Sequence, residues 1–179
     1  INLGPGPAKY RHLRLRNGLA EYNLRVIVSG SGTVDPNAEI FRHRFSPIII
    51  LTTRRARERK LRRLRNLADE IKIAGRSEID FRQALAWLWE KWKVRRLLCE
   101  GGAELNSALF RAGLVNELHL TISPKIFGGK LATTIVDGLG FPKLSKAAQL
   151  SLESMKRADD ELFLVYRVLP TPQPADHAD

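Results

Sequence analysis

The sequence predicts an α/β fold of three layers, in which a mostly parallel mixed sheet is flanked by helices and a C-terminal antiparallel strand pair follows. Strand and helix patterns alternate through the middle of the chain, as they do where crossover helices join parallel strands. The run Pro47–Leu51 is apolar without alternation, which is typical of a central strand covered on both faces. Strand patterns then accumulate near the C-terminus, where Leu150–Met155 and Glu161–Val168 flank a predicted turn at Arg157–Asp160.

Short runs of β-branched and apolar residues, bounded by turn residues, predict the other strands. These runs are Asn23–Val28, Glu70–Ala74, Arg96–Cys99 and Glu117–Ser123. Residues 1–22 contain a Gly-Pro-Gly-Pro run and no long apolar period, so we expect this segment to be irregular. The run at Arg96–Cys99 is expected to be buried, with Cys99 as a small core residue rather than a nucleophile.

Three segments have apolar residues at helical spacing and therefore predict helices. Residues 54–67 place Leu61 and Leu64 on one face of a basic segment. Asp80 is suited to cap a second helix. The apolar stripe of that helix consists of Phe81, Leu85, Leu88 and Trp92. The third helix covers Ala103–Ala112.

The composition limits the classes of protein to which the chain can belong. A length of 179 residues and a hydrophobic content of 44% predict one globular domain over residues 1–169, followed by a disordered tail over residues 170–179. The single Cys excludes a disulfide framework, and the four scattered His predict no metal site. No apolar run is long enough for a membrane span, and no secretion signal is recognised, so we expect a cytoplasmic protein without a membrane partner.

The charge of the chain is strongly basic. Its 30 Lys and Arg outnumber 19 Asp and Glu, which gives a formal net charge of +11. Such a balance favours nucleic acid or a phosphorylated ligand as the partner. The segment Arg54–Arg65 holds eight Lys or Arg and one Glu but no aromatic residue on which a base could stack. A solvated helix face is therefore preferred to a nucleic-acid platform, with weak binding at low salt expected.

Glycine and hydroxyl residues follow three of the predicted strands, at the edge where open α/β sheets bind ligands. The three segments are Ser29-Gly30-Ser31-Gly32, Thr52-Thr53-Arg54-Arg55 and Glu100-Gly101-Gly102, the last of which opens a helix. Glycine allows close approach of the backbone, hydroxyls donate hydrogen bonds, and helix N-termini offer free N–H groups to phosphate. The pattern predicts a phosphate-containing ligand.

Each of these segments also has a purely structural interpretation. In the first, Asp35 stands where a dinucleotide fingerprint needs its third glycine, so a flexible turn is the alternative. Thr53 equally suits a helix N-cap beside a solvated basic face. An ordinary strand-to-helix turn is the alternative for Glu100-Gly101-Gly102.

From Leu24 to Val168 the chain resembles the reductase domain of riboflavin biosynthesis, the RibD C-terminal domain, which has a dihydrofolate-reductase-like fold. The resemblance is carried most specifically by L-L-C-E-G-G-A-E-L-N-S-A-L-F-R-A-G-L-V-N-E-L (97–118) and by S-P-K-I-F-G-G (123–129). Supporting motifs are R-V-I-V-S-G-S-G-T-V-D-P-N-A-E-I-F (25–41), I-I-I-L-T-T (48–53) and D-D-E-L-F-L-V-Y-R-V (159–168).

The resemblance implies an NADPH-dependent oxidoreductase similar to 5-amino-6-(5-phosphoribosylamino)uracil reductase, which acts on the ribosyl group of a phosphorylated aminopyrimidine. It places Ser29, Gly30 and Ser31 near the cofactor, and it places Thr52, Thr53 and Arg54 at the adenosine ribose and its 2′-phosphate. It assigns the pyrophosphate to the segment Gly101, Gly102, Ala103, Glu104, Leu105 and Asn106. Glu100 would face the substrate, and a homodimer is expected.

The resemblance also marks a departure, because family members begin with a strand, a helix and a Ser-x-Asp-Gly-Lys-like segment that this sequence does not contain. We therefore expect the chain to lack its N-terminal strand and helix, and we leave the catalytic residues unassigned within that segment. Two alternatives stay open. One is a non-catalytic NADP-binding or regulatory module, and the other is a basic nucleic-acid-binding protein built on Arg54–Arg65.

Overall fold

The computed structural model describes residues 6–170, which form two compact units divided between Val94 and Arg95. Each unit contains one three-stranded sheet, parallel in the first and antiparallel in the second. The predicted α/β class is confirmed, but the antiparallel part comprises three strands instead of a pair. The assignment of residues 1–169 to one domain stays a prediction, and the predicted tail, apart from Pro170, lies outside the described residues.

The first unit alternates helices and parallel strands. Its elements are α1 (Ala8–Arg16), β1 (Arg25–Val28), β2 (Ile48–Thr52), α2 (Glu58–Arg65), β3 (Glu70–Ile73) and α3 (Phe81–Trp92), with a 3-10 turn at Glu39–Phe41. The strands lie in the order β1-β2-β3, so the central position of β2 is confirmed. The helix over residues 54–67 is confirmed in part, because α2 begins only at Glu58.

The expectation that residues 1–22 are irregular is wrong for Ala8–Arg16, which form α1. None of the residues of α1 is buried, so the helix has no apolar stripe from which a sequence pattern could predict it. Ala, Lys, Leu and Arg, which make up most of this segment, are strong helix formers. The helix therefore follows from local propensity and not from burial.

The core of the first unit lies on both faces of β2. Ile48 and Ile50 are buried together with Phe41, Leu64 and Ala68 on one face. The alternate residues Ile49 and Leu51 are buried with Ala74, Ala84 and Leu88 on the other. Since successive side chains of a strand point to opposite faces, β2 has a helix on each side, α2 on one and α3 on the other. This unit thus has the three layers that the sequence predicts.

The predicted cap of α3 is confirmed. The Asp80 carboxylate accepts a hydrogen bond from the backbone N–H of Gln83 at 3.0 Å. At the other end of α3, the indole N–H of Trp92 donates to Glu70 Oε2 at 3.2 Å. Lys91 Nζ lies 2.5 Å from the other carboxylate oxygen of Glu70. The carboxylate of Glu70 therefore ties α3 to β3.

The second unit comprises α4 (Ala103–Arg111), β4 (Glu117–Ile122), β5 (Leu150–Ala158) and β6 (Glu161–Val168), with a 3-10 turn at Leu144–Lys146. Its strands lie in the order β4-β6-β5, and β6 pairs antiparallel with both neighbours. The predicted strand pair near the C-terminus and the strand over Glu117–Ser123 are confirmed. Across residues 6–170, no helix has the length and apolarity that a membrane span requires.

The predicted buried strand at Arg96–Cys99 is wrong, because residues 93–100 contain no helix or strand. Leu98 is 76% exposed and Leu97 is 48% exposed. A strand needs a neighbour for its backbone hydrogen bonds, and none of the described strands pairs with this segment. Cys99 is half-buried instead, with Sγ 3.5 Å from Asn106 Oδ1.

Candidate functional site

The three parallel strands end at one edge of the first sheet, and the segments that follow them are hydrogen-bonded to one another. The backbone N–H of Thr53 donates to the Gly30 carbonyl oxygen at 3.2 Å, and that of Arg54 donates to the Gly75 carbonyl oxygen at 3.2 Å. We call residues 29–33, 52–55 and 74–75 the strand-end edge. It brings together the first two segments that the sequence analysis selected, and it adds Gly75.

The threonines of the strand-end edge direct their hydroxyls into the protein. Thr52 and Thr53 are each 0% exposed. Thr52 Oγ1 donates to the Ser29 carbonyl oxygen at 2.7 Å, and Thr53 Oγ1 donates to the Gly30 carbonyl oxygen at 2.7 Å. A hydroxyl has one proton to donate, so both donors are already used inside the protein. Direct contact of these hydroxyls with a ribose or phosphate therefore remains only a prediction.

The alternative in which Thr53 caps the following helix is wrong. Helix α2 begins at Glu58, and its N-cap residue is Arg57, which makes no side-chain capping bond. Thr53 Oγ1 instead accepts the backbone N–H of Arg55 at 3.2 Å, within the turn that precedes the helix. The Thr53 side chain therefore joins two segments of the strand-end edge, residues 29–33 and 52–55.

The loop after β1 has two exposed hydroxyl residues, Ser31 and Thr33, at the strand-end edge. Ser31 is exposed, and its Oγ donates to Thr33 Oγ1 at 3.0 Å. Ser29 Oγ donates to the Thr33 carbonyl oxygen at 3.2 Å. The Lys60 ammonium, on α2, also contacts Thr33 Oγ1. This loop thus offers hydroxyls beside a positive charge, which suits an anionic ligand.

Arg54 is one of two exposed cations of the strand-end edge, the other being Arg55. Its side chain makes no hydrogen bond or ion pair with any residue between 6 and 170. The neighbouring Arg55 has its guanidinium 3.4 Å from the Ser77 carbonyl oxygen. A guanidinium with all five N–H donors available suits the geometry of a phosphate monoester.

A substitution of Gly32 tests how tightly this loop packs. Gly32 has φ +66°, and a Cβ there would lie 2.9 Å from the Ala56 Cβ. Gly18 has the same φ of +66° but no atom within 4 Å of its Cβ position, so it is the matched control. Both alanine variants bear the cost of a left-handed backbone, about 1 kcal/mol. Gly32→Ala is expected to lose about 1–2 kcal/mol more in urea unfolding, because it also overpacks the loop.

Equal losses in the two variants would contradict the crowding at Gly32 and would leave only the backbone conformation as the cause.

The second unit contains the segment Glu100–Asn106, which joins a turn to α4. Gly101 has φ +87°, and the Gly101–Gly102 peptide bond is cis. Gly102 is the N-cap of α4 and offers no side chain to the first turn. The leading N–H groups of a helix have no intrahelical acceptor, so the start of α4 is suited to an anion. The Glu100 carboxylate is exposed and makes no hydrogen bond with the residues described.

The side chain of Asn106 holds a distant loop beside the start of α4. Its Nδ2 donates to the Ile135 carbonyl oxygen at 2.9 Å. The Asp137 N–H donates to the Ala103 carbonyl oxygen at 3.2 Å, which fixes the same loop at a second point. Ile135 and Asp137 carry no signal in the sequence for this position, because their contacts here use backbone atoms. Gly75 was missed as well, although it directly follows a predicted strand.

A family comparison identifies the class of protein. The family model for the RibD C-terminal domain matches residues 6–164. The chain therefore belongs to the RibD C-terminal domain family, and the resemblance carried by its motifs is confirmed.

Two curated proteins with similar sequences are named as reductases. The chain is 32% identical over 142 residues to the 2,5-diamino-6-ribosylamino-4(3H)-pyrimidinone 5′-phosphate reductase of Aquifex aeolicus. The aligned residues cover 79% of this chain and 63% of that protein. It is 30% identical over 145 residues to the enzyme of the same name from Methanothermobacter thermautotrophicus, covering 81% and 66% respectively. The chain thus spans slightly less than two thirds of the length of each of these relatives.

Solved structures confirm the fold. A pyrimidine reductase-like protein from Corynebacterium diphtheriae superposes with a TM-score of 0.73 at 21% identity, covering 92% of this chain and 68% of that one. The riboflavin biosynthesis reductase Rib7 of Saccharomyces cerevisiae gives a TM-score of 0.58 at 19% identity, covering 83% and 65%. At these identities, the likeness is one of fold.

Proposed function

We propose that the protein is an NADPH-dependent reductase that acts on the ribosyl group of a phosphorylated aminopyrimidine, as in riboflavin synthesis. The relatives named as pyrimidinone 5′-phosphate reductases support the substrate class. The observation that carries the cofactor assignment is the exposed Arg54 guanidinium at the end of β2, where a 2′-phosphate would find five unused donors. The cytoplasmic location expected from the sequence is part of this proposal.

Each unit by itself has residues that suit a phosphate-containing ligand. In the first unit, Arg54 would hold a 2′-phosphate, and Ser29, Gly30 and Ser31 would line the cofactor beside it. In the second unit, the backbone of Gly101–Asn106 would suit a pyrophosphate, and Glu100 is the residue that the family resemblance assigns to the substrate. When bound, NADPH supplies the hydride that reduces the sugar carbon. The role of the chain itself would be to bind and orient the two molecules.

A homodimer is the proposed assembly. Strand β5 carries Leu152 and Met155, which are 51% and 65% exposed. Their partners on β6, Tyr166 and Leu164, are two residues apart, so both side chains lie on one face of the sheet. Exposed apolar side chains on one sheet face are suited to an interface with a second copy.

The proposed function is tested by mixing the full-length protein with NADPH and the aminopyrimidine ribosyl phosphate and following the loss of nicotinamide absorbance. We expect NADPH oxidation that depends on the pyrimidine. NADPH binding in calorimetry without turnover of that substrate would favour the non-catalytic module instead. Absence of both binding and turnover would contradict the proposal, and salt-sensitive binding of duplex DNA in the same protein would then favour the nucleic-acid alternative.

A further inference from the structure

We propose that Thr52 and Thr53 are positioning residues, whose hydroxyls hold the loop Ser29–Gly32 in its cofactor-binding shape without contacting the cofactor. The inference rests on the proposed function for the identity of the ligand. Its structural part rests only on the hydrogen bonds and burial of the two threonines. It assigns them a role different from the direct contact that their residue type and position suggest.

The two hydroxyls are fully committed within the strand-end edge. Each donates its single proton at 2.7 Å, Thr52 to the Ser29 carbonyl oxygen and Thr53 to the Gly30 carbonyl oxygen. Both residues are 0% exposed, so a ligand could reach neither hydroxyl unless the loop opened. Opening of the loop would break both of these hydrogen bonds, which makes it unfavourable.

The end of β2 explains how neighbouring side chains reach the same loop. Successive residues within a strand point to opposite faces, but β2 ends at Thr52. Thr53 belongs to the turn that follows, where its backbone N–H also donates to Gly30. The Thr53 methyl Cγ2 lies 3.7 Å from the position a Cβ on Gly30 would take. The loop is thus held by hydrogen bonds from both threonines, and a side chain added at Gly30 would contact Thr53.

The hydrogen bonds from Thr52 and Thr53 use carbonyl oxygens of the loop and leave two of its backbone N–H groups available. The backbone N–H groups of Gly30 and Ser31 donate to no residue in the described part of the chain, 6–170, whereas that of Gly32 donates to the Ser29 carbonyl oxygen at 3.0 Å. A loop fixed beforehand binds a ligand without the entropic cost of ordering it. Loss of the hydroxyls would therefore weaken binding although no contact with the ligand is removed.

The test compares Val with Ser at each position in the full-length protein. Thr52→Val and Thr53→Val keep the branched shape but remove the hydroxyl, whereas Thr52→Ser and Thr53→Ser keep the hydroxyl. Without cofactor, amide hydrogen exchange over residues 29–33 is expected to be faster in the Val variants and unchanged in the Ser variants. Exchange over Ile48–Leu51 is expected to stay slow in all four, which shows that the fold is intact.

NADPH titration and turnover form the second readout. The Val variants are expected to have Kd and KM for NADPH raised roughly tenfold with kcat within about twofold of wild type, and the Ser variants to restore the wild-type values. Weaker binding with unchanged loop exchange would indicate direct contact and overturn the inference. Faster loop exchange with unchanged NADPH affinity would also overturn it. Failure of the wild-type protein to bind NADPH would overturn the proposed function and the cofactor part of this inference, while the exchange arm would still decide whether the threonines hold the loop.

Discussion

Replacing Arg54 with Gln is expected to weaken NADPH binding by about ten- to a hundredfold and to leave NADH binding unchanged. The range corresponds to roughly 1.5–3 kcal/mol for hydrogen bonds to a charged group. The Arg54 side chain has no partner among residues 6–170, so its removal releases no other group in that part of the chain. Calorimetric titration of both nucleotides at one ionic strength measures the change.

Arg63→Gln is the matched control for this variant. Arg63 is also exposed, lies on α2 and loses the same charge when it is substituted. We expect it to change NADPH affinity less than twofold, because distant exposed charges are screened by salt. Equal losses in the two variants would show a general effect of charge. An equal loss of NADH affinity in Arg54→Gln would exclude the 2′-phosphate as its partner.

Arg25→Met is expected to lower the free energy of unfolding by about 3 kcal/mol. Arg25 is only 8% exposed, although it carries a charge. Its guanidinium donates to Ser46 Oγ at 2.9 Å, to the Ser46 carbonyl oxygen at 2.7 Å and to the Ile40 carbonyl oxygen at 2.9 Å, and it lies 4.4 Å from the centre of the Phe45 ring. Methionine fills similar space but leaves these acceptors without their donor.

The electrostatic surroundings of Arg25 agree with a structural role. Burial, with the nearby charge of Arg44, lowers the pKa of the Arg25 guanidinium below its ordinary value, and Asp69 opposes this shift. No carboxylate accepts a hydrogen bond from it in the described chain, so carbonyl and hydroxyl oxygens satisfy the buried cation. The cation therefore fixes residues 40–46 against β1.

Urea unfolding of the full chain measures the loss at Arg25, and Arg62→Met is the control. Arg62 is exposed on α2 and is expected to change stability by less than about 0.5 kcal/mol when substituted. Arg25→Lys keeps the charge but lacks the planar set of N–H donors of a guanidinium. We therefore expect it to lose an amount of stability between those of Arg62→Met and Arg25→Met. A loss at Arg25→Met no larger than that at Arg62→Met would contradict the structural role.

Local patterns in the sequence predict the strands of the first sheet, and most directly β2, whose buried residues are almost all apolar. The run Ile48–Leu51 is apolar at every position and is covered on both faces. The misassigned strand at Arg96–Cys99 has a similar apolar run, but whether a run becomes a strand depends on a partner elsewhere in the chain. Helix α1, in contrast, forms where the sequence predicts no element. None of its residues is buried, so the sequence there has no periodic apolar pattern.

Residue types predict which segments form the candidate site. They do not predict what each side chain in those segments contacts. Hydroxyls and glycines at strand ends identified the loops after β1 and β2. Whether the Thr52 and Thr53 hydroxyls face a ligand or a neighbouring loop depends on the spacing of two strands that are distant in sequence. The hydrogen bond from Asn106 to Ile135 spans 29 residues and ends on a backbone oxygen, so no residue type could indicate it.

The complete burial of β2 also has a consequence for the chain before it folds. The segment from Ile48 to Thr53 is uncharged, contains no proline and is at most 2% exposed in the folded protein. Such six-residue segments stack into cross-β aggregates when they are exposed. Pro47 precedes this segment, and Arg54 and Arg55 follow it, as the residues that interrupt such stacking do. The positive charge of Arg54, which we propose binds the 2′-phosphate, is therefore also suited to hinder aggregation of the unfolded chain.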